Sequence, residues 1–206
     1  MPGVVLAPDG RPRCPWALAG LPTDRRYLDY HDEEWGRPLH GDIPLFERLC
    51  LEAFQSGLSW FTVLRKRPAF RAAFAGFDPA VVAAYGDEDV ARLLADPGII
   101  RNGAKVRAVI SNARALRDLQ ERGRTLDELV WSHAPATARS RPDDTMAVPA
   151  TTPESAALSR ELRGVGFRFV GPTTAYALMQ ACGLVDDHLA GCVIGADVTA
   201  RRAYPR

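Results

Sequence analysis

Glu52 is the first residue whose chemistry needs an explanation. Asp42 followed by Pro44 starts a helix, with a carboxylate to cap free amides and a proline in the first turn. Leu45, Leu49 and Ala53 recur at the spacing of one buried face, with Phe46 and Cys50 beside them. Glu52 lies three residues after Leu49 and so falls inside that stripe, where a bare carboxylate is costly. Ser56-Gly57 then breaks the helix, Ser59 caps the next, and Trp60 enters directly behind the break. A carboxylate and an indole meeting at one inward corner suit a flat, positively charged ligand. The competing reading is a solvated glutamate paired with Arg65, Lys66 or Arg67.

The cysteines divide into two kinds. Cys50 and Cys182 sit in apolar helical patterns and read as small core residues. Cys14 and Cys192 do not, and His31 and His188 are the residues that match them in chemistry. His188 and Cys192 form an i, i+4 pair that one helical turn aims at a common point. Two thiolates and two imidazoles suit a closed tetrahedral zinc site, structural because no coordination position stays open. No C-x-x-C occurs, so spacing leaves a loosely held thiol and a surface histidine as the alternative.

A third feature is Gly164-Val165-Gly166-Phe167-Arg168-Phe169-Val170-Gly171-Pro172-Thr173, a glycine-bracketed turn between two helices. Amides presented at such a helix start hold a phosphate through aligned N–H groups and the positive dipole end. The turn resembles a helix-hairpin-helix module, in which Gly166, Gly171 and Thr173 would be the contacts to the DNA backbone. An ordinary helix–helix turn would look similar.

The surrounding punctuation is regular. Pro68 is expected to start a helix ended by Gly76, Asp78-Pro79 another ended by Gly86, and Asp87 a third that stops before Pro97-Gly98. The longest helix is predicted from about Ala104 to Arg122. Its buried face is Val106, Val109, Ile110, Ala113 and Leu116, and Lys105, Arg107, Arg114, Arg117 and Arg122 lie on the other. Thr125 with Glu128 forms a capping box, and Thr152-Pro153 opens a helix that closes at Gly164. Residues 133–150 read as a long polar loop, and no stretch alternates as a strand. The expected fold is all-α: a loose lead-in over 1–13, one domain over 14–192, and a loose tail over 193–206.

With 206 residues, 25% of them charged and a net charge of +1, the chain is neither a polycation nor an acidic tail. Nucleic-acid binding has to come from local patches. No apolar run approaches a membrane span, and Val4-Val5-Leu6-Ala7 is too short for a signal-peptide core. A cytoplasmic protein is expected, with thiols rather than disulfides.

Six blocks in order make the chain resemble the DNA-3-methyladenine glycosylase I family. They are Cys14-Pro15-Trp16, Tyr30-His31-Asp32-Glu33-Glu34-Trp35-Gly36, Gln55-Ser56-Gly57-Leu58-Ser59-Trp60, Gly98-Ile99-Ile100-Arg101, Phe169-Val170-Gly171-Pro172-Thr173 and Met179-Gln180-Ala181-Cys182-Gly183-Leu184-Val185-Asp186-Asp187-His188. The resemblance implies a helix-hairpin-helix glycosylase fold, with the hairpin module at about 154–182. It implies one structural zinc on Cys14, His31, His188 and Cys192. Glu52 would recognise the base, and Trp60, Tyr30, Tyr27 and Trp16 would line its pocket, with Trp35 as a further wall. Leu58, beside Gly57, would fill the gap left by an extruded nucleotide.

The implied activity is excision of 3-methyladenine from alkylated double-stranded DNA by a monomer, with the free base as product. Relatives in the wider superfamily that also cut the strand use a lysine on the helix after the hairpin, and none stands there. Asp186 and Asp187 are reserve catalytic candidates. The competing class is a non-catalytic DNA-binding module, which leaves an inward Glu52 unexplained. A zinc nucleobase deaminase needs a P-C-x-x-C motif beside its H-x-E, and no P-C-x-x-C occurs.

Overall fold

The computed structural model describes residues 3–195. Their contacts divide them into two compact units. One comprises the segment up to Leu39, Ala134–Ala150 and the segment from Met179. The other comprises His40–His133 and Thr151–Leu178.

In the first unit the described part of the lead-in, residues 3–13, is not loose. β1 (Val5–Leu6) and β2 (Pro12–Arg13) pair antiparallel. What orders them is Arg13, whose buried guanidinium pairs with Asp9 at 2.7 Å and Asp32 at 2.9 Å. A 3-10 turn over Pro15–Leu18 packs against α1 (Arg26–Glu33). The polar stretch 134–150 is also ordered. Asp144 caps a short turn at Thr145–Ala147, and the Pro142 carbonyl accepts from the Ala190 amide.

The second unit is helical among the described residues. α2 (Asp42–Gln55) packs against α3 (Trp60–Ala73), α6 (Gly103–Glu121) and α7 (Leu126–Trp131). The expected α2 stripe is buried, and burial closes round the whole helix from Leu49 to Phe54. Phe54 of this helix meets the Phe70 ring at a tilt, and Phe70, Phe74 and Phe77 stack in sequence beyond it. α4 (Pro79–Ala83) and α5 (Asp87–Ala95) lie against α6. Thr152 caps α8 (Pro153–Gly164), and the hairpin leads into α9 (Pro172–Ala181).

Three local readings need correction. Asp42 does not cap its own helix. Gly41 is the cap residue, and the Asp42 carboxylate accepts from the Asp127 amide at the start of α7. Pro68 does not start a helix but lies inside α3. The Ser59 cap and the buried Val63, Leu64 and Phe70 carry the helix through the one hydrogen bond that a proline removes. Lys105 is not on the solvent face of α6 but buried.

Candidate active site and metal centre

Cys14, His31, His188 and Cys192 come together in the first unit, all buried, their ligand atoms within 4.8 Å of one another. Cys14 follows β2, His31 lies on α1, and His188 and Cys192 follow α9. A zinc ion with ordinary bond lengths and tetrahedral angles sets nitrogens about 3.3 Å apart and nitrogen from sulfur about 3.6 Å. His188 Nδ1 and His31 Nε2 are 3.2 Å apart. The Cys192 sulfur stands 3.6 Å from His31 Nε2 and 3.7 Å from His188 Nδ1, and the Cys14 sulfur 3.9 Å from His188 Nδ1. The donor set therefore fits a tetrahedral cation. The Cys14 hydrogen bond drives the Cys192 thiol toward thiolate, while Cys14 is pushed up by the same pairing. A dication would favour both thiolates.

The outer groups orient these ligands. His31 Nδ1 lies 2.7 Å from Asp32 Oδ1, and His188 Nε2 is 3.2 Å from the Trp35 carbonyl. A ring nitrogen fixed by a carboxylate or carbonyl leaves the other free to bind metal. The Leu189 amide donates to the Cys14 sulfur at 3.4 Å. Burial works against ionisation at Asp32, but hydrogen bonds from Arg13 and His31 outweigh it and hold that carboxyl below its usual range. Neither Asp32 nor Arg13 was picked out by the sequence reading. The His31-Asp32 adjacency was the available signal.

The described tryptophans and tyrosines of the first unit form one cluster. The Trp16 ring lies 4.9 Å from Tyr27, 6.4 Å from Tyr30 and 5.1 Å from Trp35, centroid to centroid. It also stands 5.0 Å from the His31 ring. Asp186 accepts from the His188 amide, and Asp187 accepts from Gln180.

Glu52 belongs to the second unit and is 5% exposed. Burial pushes its carboxyl up to about 7, with Arg48 pulling the other way. Arg48 sits one helical turn earlier on α2, itself buried, its guanidinium carbon 5.7 Å from the centre of the Trp60 ring. Trp60 is buried at the start of α3, where the Ser59 hydroxyl accepts from Thr62. The sequence reading missed Arg48, although its i, i+4 spacing to Glu52 was visible. Lys66, offered as a surface partner for Glu52, donates instead to the Pro97 and Gly98 carbonyls.

Between α2 and α3, Gly57 has φ +82° and Leu58 is 43% exposed. In the hairpin Gly166 has φ +104°, and the Phe169 backbone is also left-handed, at φ +58°. Gly171 precedes Pro172 and the exposed Thr173 of α9. Arg101 and Arg107 are exposed, Arg107 pairing with Asp87. Lys105, expected on the same outer face of the helix as Arg107, is committed to two backbone carbonyls.

A helical fold with a buried carboxylate and indole, a Cys2His2 cluster and a glycine-bracketed hairpin defines a class that comparison with known proteins makes specific. The family model described as methyladenine glycosylase matches residues 20–195. DNA-3-methyladenine glycosylase 1 of Escherichia coli (strain K12) is 46% identical over 87% of this chain and 95% of its own length. A crystal structure of 3-methyladenine DNA glycosylase I superposes with a TM-score of 0.82 at 46% identity, covering 88% of this chain and 98% of that one. A tyrosine-to-phenylalanine variant of a 3-methyladenine DNA glycosylase I, in complex with 3-methyladenine, gives 0.79 at 31% identity, covering 87% and 97%. This chain belongs to the methyladenine glycosylase family.

Proposed function

We propose that this protein flips 3-methyladenine out of alkylated duplex DNA and hydrolyses its N-glycosidic bond, as an enzyme of base excision repair. The observation that carries the reading is Glu52, a carboxylate buried in helix α2 and grouped with Arg48 and Trp60. Adenine alkylated at N3 is a cation within the nucleotide, so its glycosidic bond is already weak. The bond breaks with its electron pair going to the base, which leaves neutral, and water supplies the oxygen to the sugar. Little general-acid assistance is needed. The ionised Glu52 accepts hydrogen bonds from the adenine edge and matches the charge, while Trp60 favours a positive ring over a neutral one.

We assign Tyr30, Tyr27 and Trp16 aromatic contacts with the same base on the strength of the family resemblance. Leu58 fills the vacated position in the stack beside Gly57, lowering the few kcal/mol that extrusion costs. Gly166, Gly171 and Thr173 present the hairpin to phosphates, which positions DNA without reading its sequence. α9 carries no lysine, so base release without strand cleavage is the proposed outcome.

The metal we assign to Cys14, His31, His188 and Cys192 is zinc, one ion per chain, held in a closed and structural site. Its liganding thiols suit a reducing compartment, so the cytoplasm is the proposed location, with the protein acting as a monomer. The test is release of free 3-methyladenine from methylated duplex DNA by purified protein, with strand integrity followed on a denaturing gel. A protein that binds the duplex but releases nothing would be a DNA-binding module, and this proposal would be wrong.

A further inference from the structure

Two side chains of α6 reach out of the helix and grip backbone in two separate turns of the second unit. Lys105, 7% exposed, donates from Nζ to the Phe54 carbonyl at 2.9 Å and the Ser56 carbonyl at 2.6 Å. Those carbonyls close the last turn of α2, immediately before Gly57 and the exposed Leu58. Asn112 makes a double clasp on one hairpin residue. Its Nδ2 donates to the Arg168 carbonyl at 3.1 Å, and its Oδ1 accepts from the Arg168 amide at 2.7 Å. Phe169 follows at once, 41% exposed and left-handed, and the Val170 carbonyl beyond it is held by Ser159.

Lys105 and Asn112 are seven residues apart. That is two turns, about 10.5 Å along the axis, and within about 20° of one face. A methionine would fill the space at 105 without desolvating an ammonium. What the ammonium adds is a hold on two carbonyls.

We propose that α6 is a spacer that fixes the separation of the Leu58 turn from the Arg168–Gly171 hairpin, with Lys105 and Asn112 as its two positioning residues. The rigid spacing lets Leu58 enter a gap in the stack while the hairpin holds flanking backbone. The inference rests on the roles assigned above to Leu58 and the hairpin.

The test compares affinity for a duplex carrying a tetrahydrofuran abasic analogue with affinity for the intact duplex of the same sequence, at one salt concentration. Wild-type protein should prefer the abasic duplex by about tenfold or more, the worth of burying one leucine side chain. Lys105→Met should bring that preference to within about twofold while leaving intact-duplex affinity unchanged. Lys105→Arg, which still reaches both carbonyls, should keep the preference. Asn112→Ala should weaken binding to both duplexes alike. If Lys105→Met does not fold, as judged by its melting curve, Lys105→Gln is read in its place with the same expected loss. A wild-type preference surviving in the folded Met or Gln variant overturns the spacer. An indifferent wild-type protein overturns the role of Leu58 and the spacer with it.

Discussion

A carboxyl pushed up to about 7 by burial is half protonated near neutral pH, and this governs what Glu52 does. Its folded pKa lies above the ordinary 4.5, so the folded state holds a proton that the unfolded chain has lost. Stability is therefore greatest below about 4.5, falls as the pH rises through 7, and is lower by the order of 3 kcal/mol beyond it. Glu52→Gln should remove that slope and melt at a higher temperature than wild type at pH 8, which thermal melts across pH 5–8 would read. A cationic base needs the ionised form, so excision should rise with pH through about 7. In Glu52→Gln the profile should flatten and the rate fall by about one to two orders of magnitude, since a hydrogen bond to a charged group is worth about 1.5–3 kcal/mol. Single-turnover assays on methylated DNA would show both. Wild-type rates in the variant would remove Glu52 from recognition and turn attention to Asp186 and Asp187.

At the scale of elements, the hairpin offers two glycines that behave differently. A Cβ at Gly166 would stand 3.3 Å from the Ala115 side chain on a backbone at φ +104°. Gly166→Ala should thus cost about 1–2 kcal/mol and lower the melting temperature. A Cβ at Gly171 meets only the flexible end of Arg163, at 3.6 Å. Gly171→Leu should leave the melting curve in place while weakening duplex binding, with affinity for free 3-methyladenine intact. Unchanged duplex affinity in the folded variant would remove the hairpin's role as a backbone grip. The helix starts at Ser59, Asp78, Thr125 and Thr152 were legible because a cap is decided within four residues. Pro68 misled because tertiary packing overrode a local rule. Lys105 misled because a face pattern sends lysine to water, whereas its partners lie 49 and 51 residues away. The β1–β2 hairpin was invisible because the Arg13–Asp32 pair that secures it spans 19 residues. The four candidate metal ligands could be named from residue type, but the helical turn expected to aim His188 and Cys192 together is absent, 188–192 being a non-helical turn, and their convergence is a long-range fact.

For the whole molecule, the metal centre and net charge make the predictions. Metal analysis should find one zinc per chain with or without DNA. Cys14→Ser should lower the melting temperature and the metal content together, because the bound ion contributes to the folded state directly. An unchanged melt with full zinc would place the ligand elsewhere. With a net charge of only +1, duplex affinity has to come from local phosphate contacts. It should still fall steeply with salt and vary little with sequence, as titrations between about 50 and 200 mM would show.

His31 and His188, which face each other across the metal cluster, are separated by 157 positions in the chain. A crosslink over a loop that long removes of the order of 5 kcal/mol of freedom from the unfolded ensemble, by the relation used for disulfides. During synthesis it also imposes an order of events. The segment His40–His133 has left the ribosome before Cys192 is made, so its contacts can form first. An ion bound by the four side chains would close the chain last, and a message truncated before codon 192 would yield a protein that lacks one of the four.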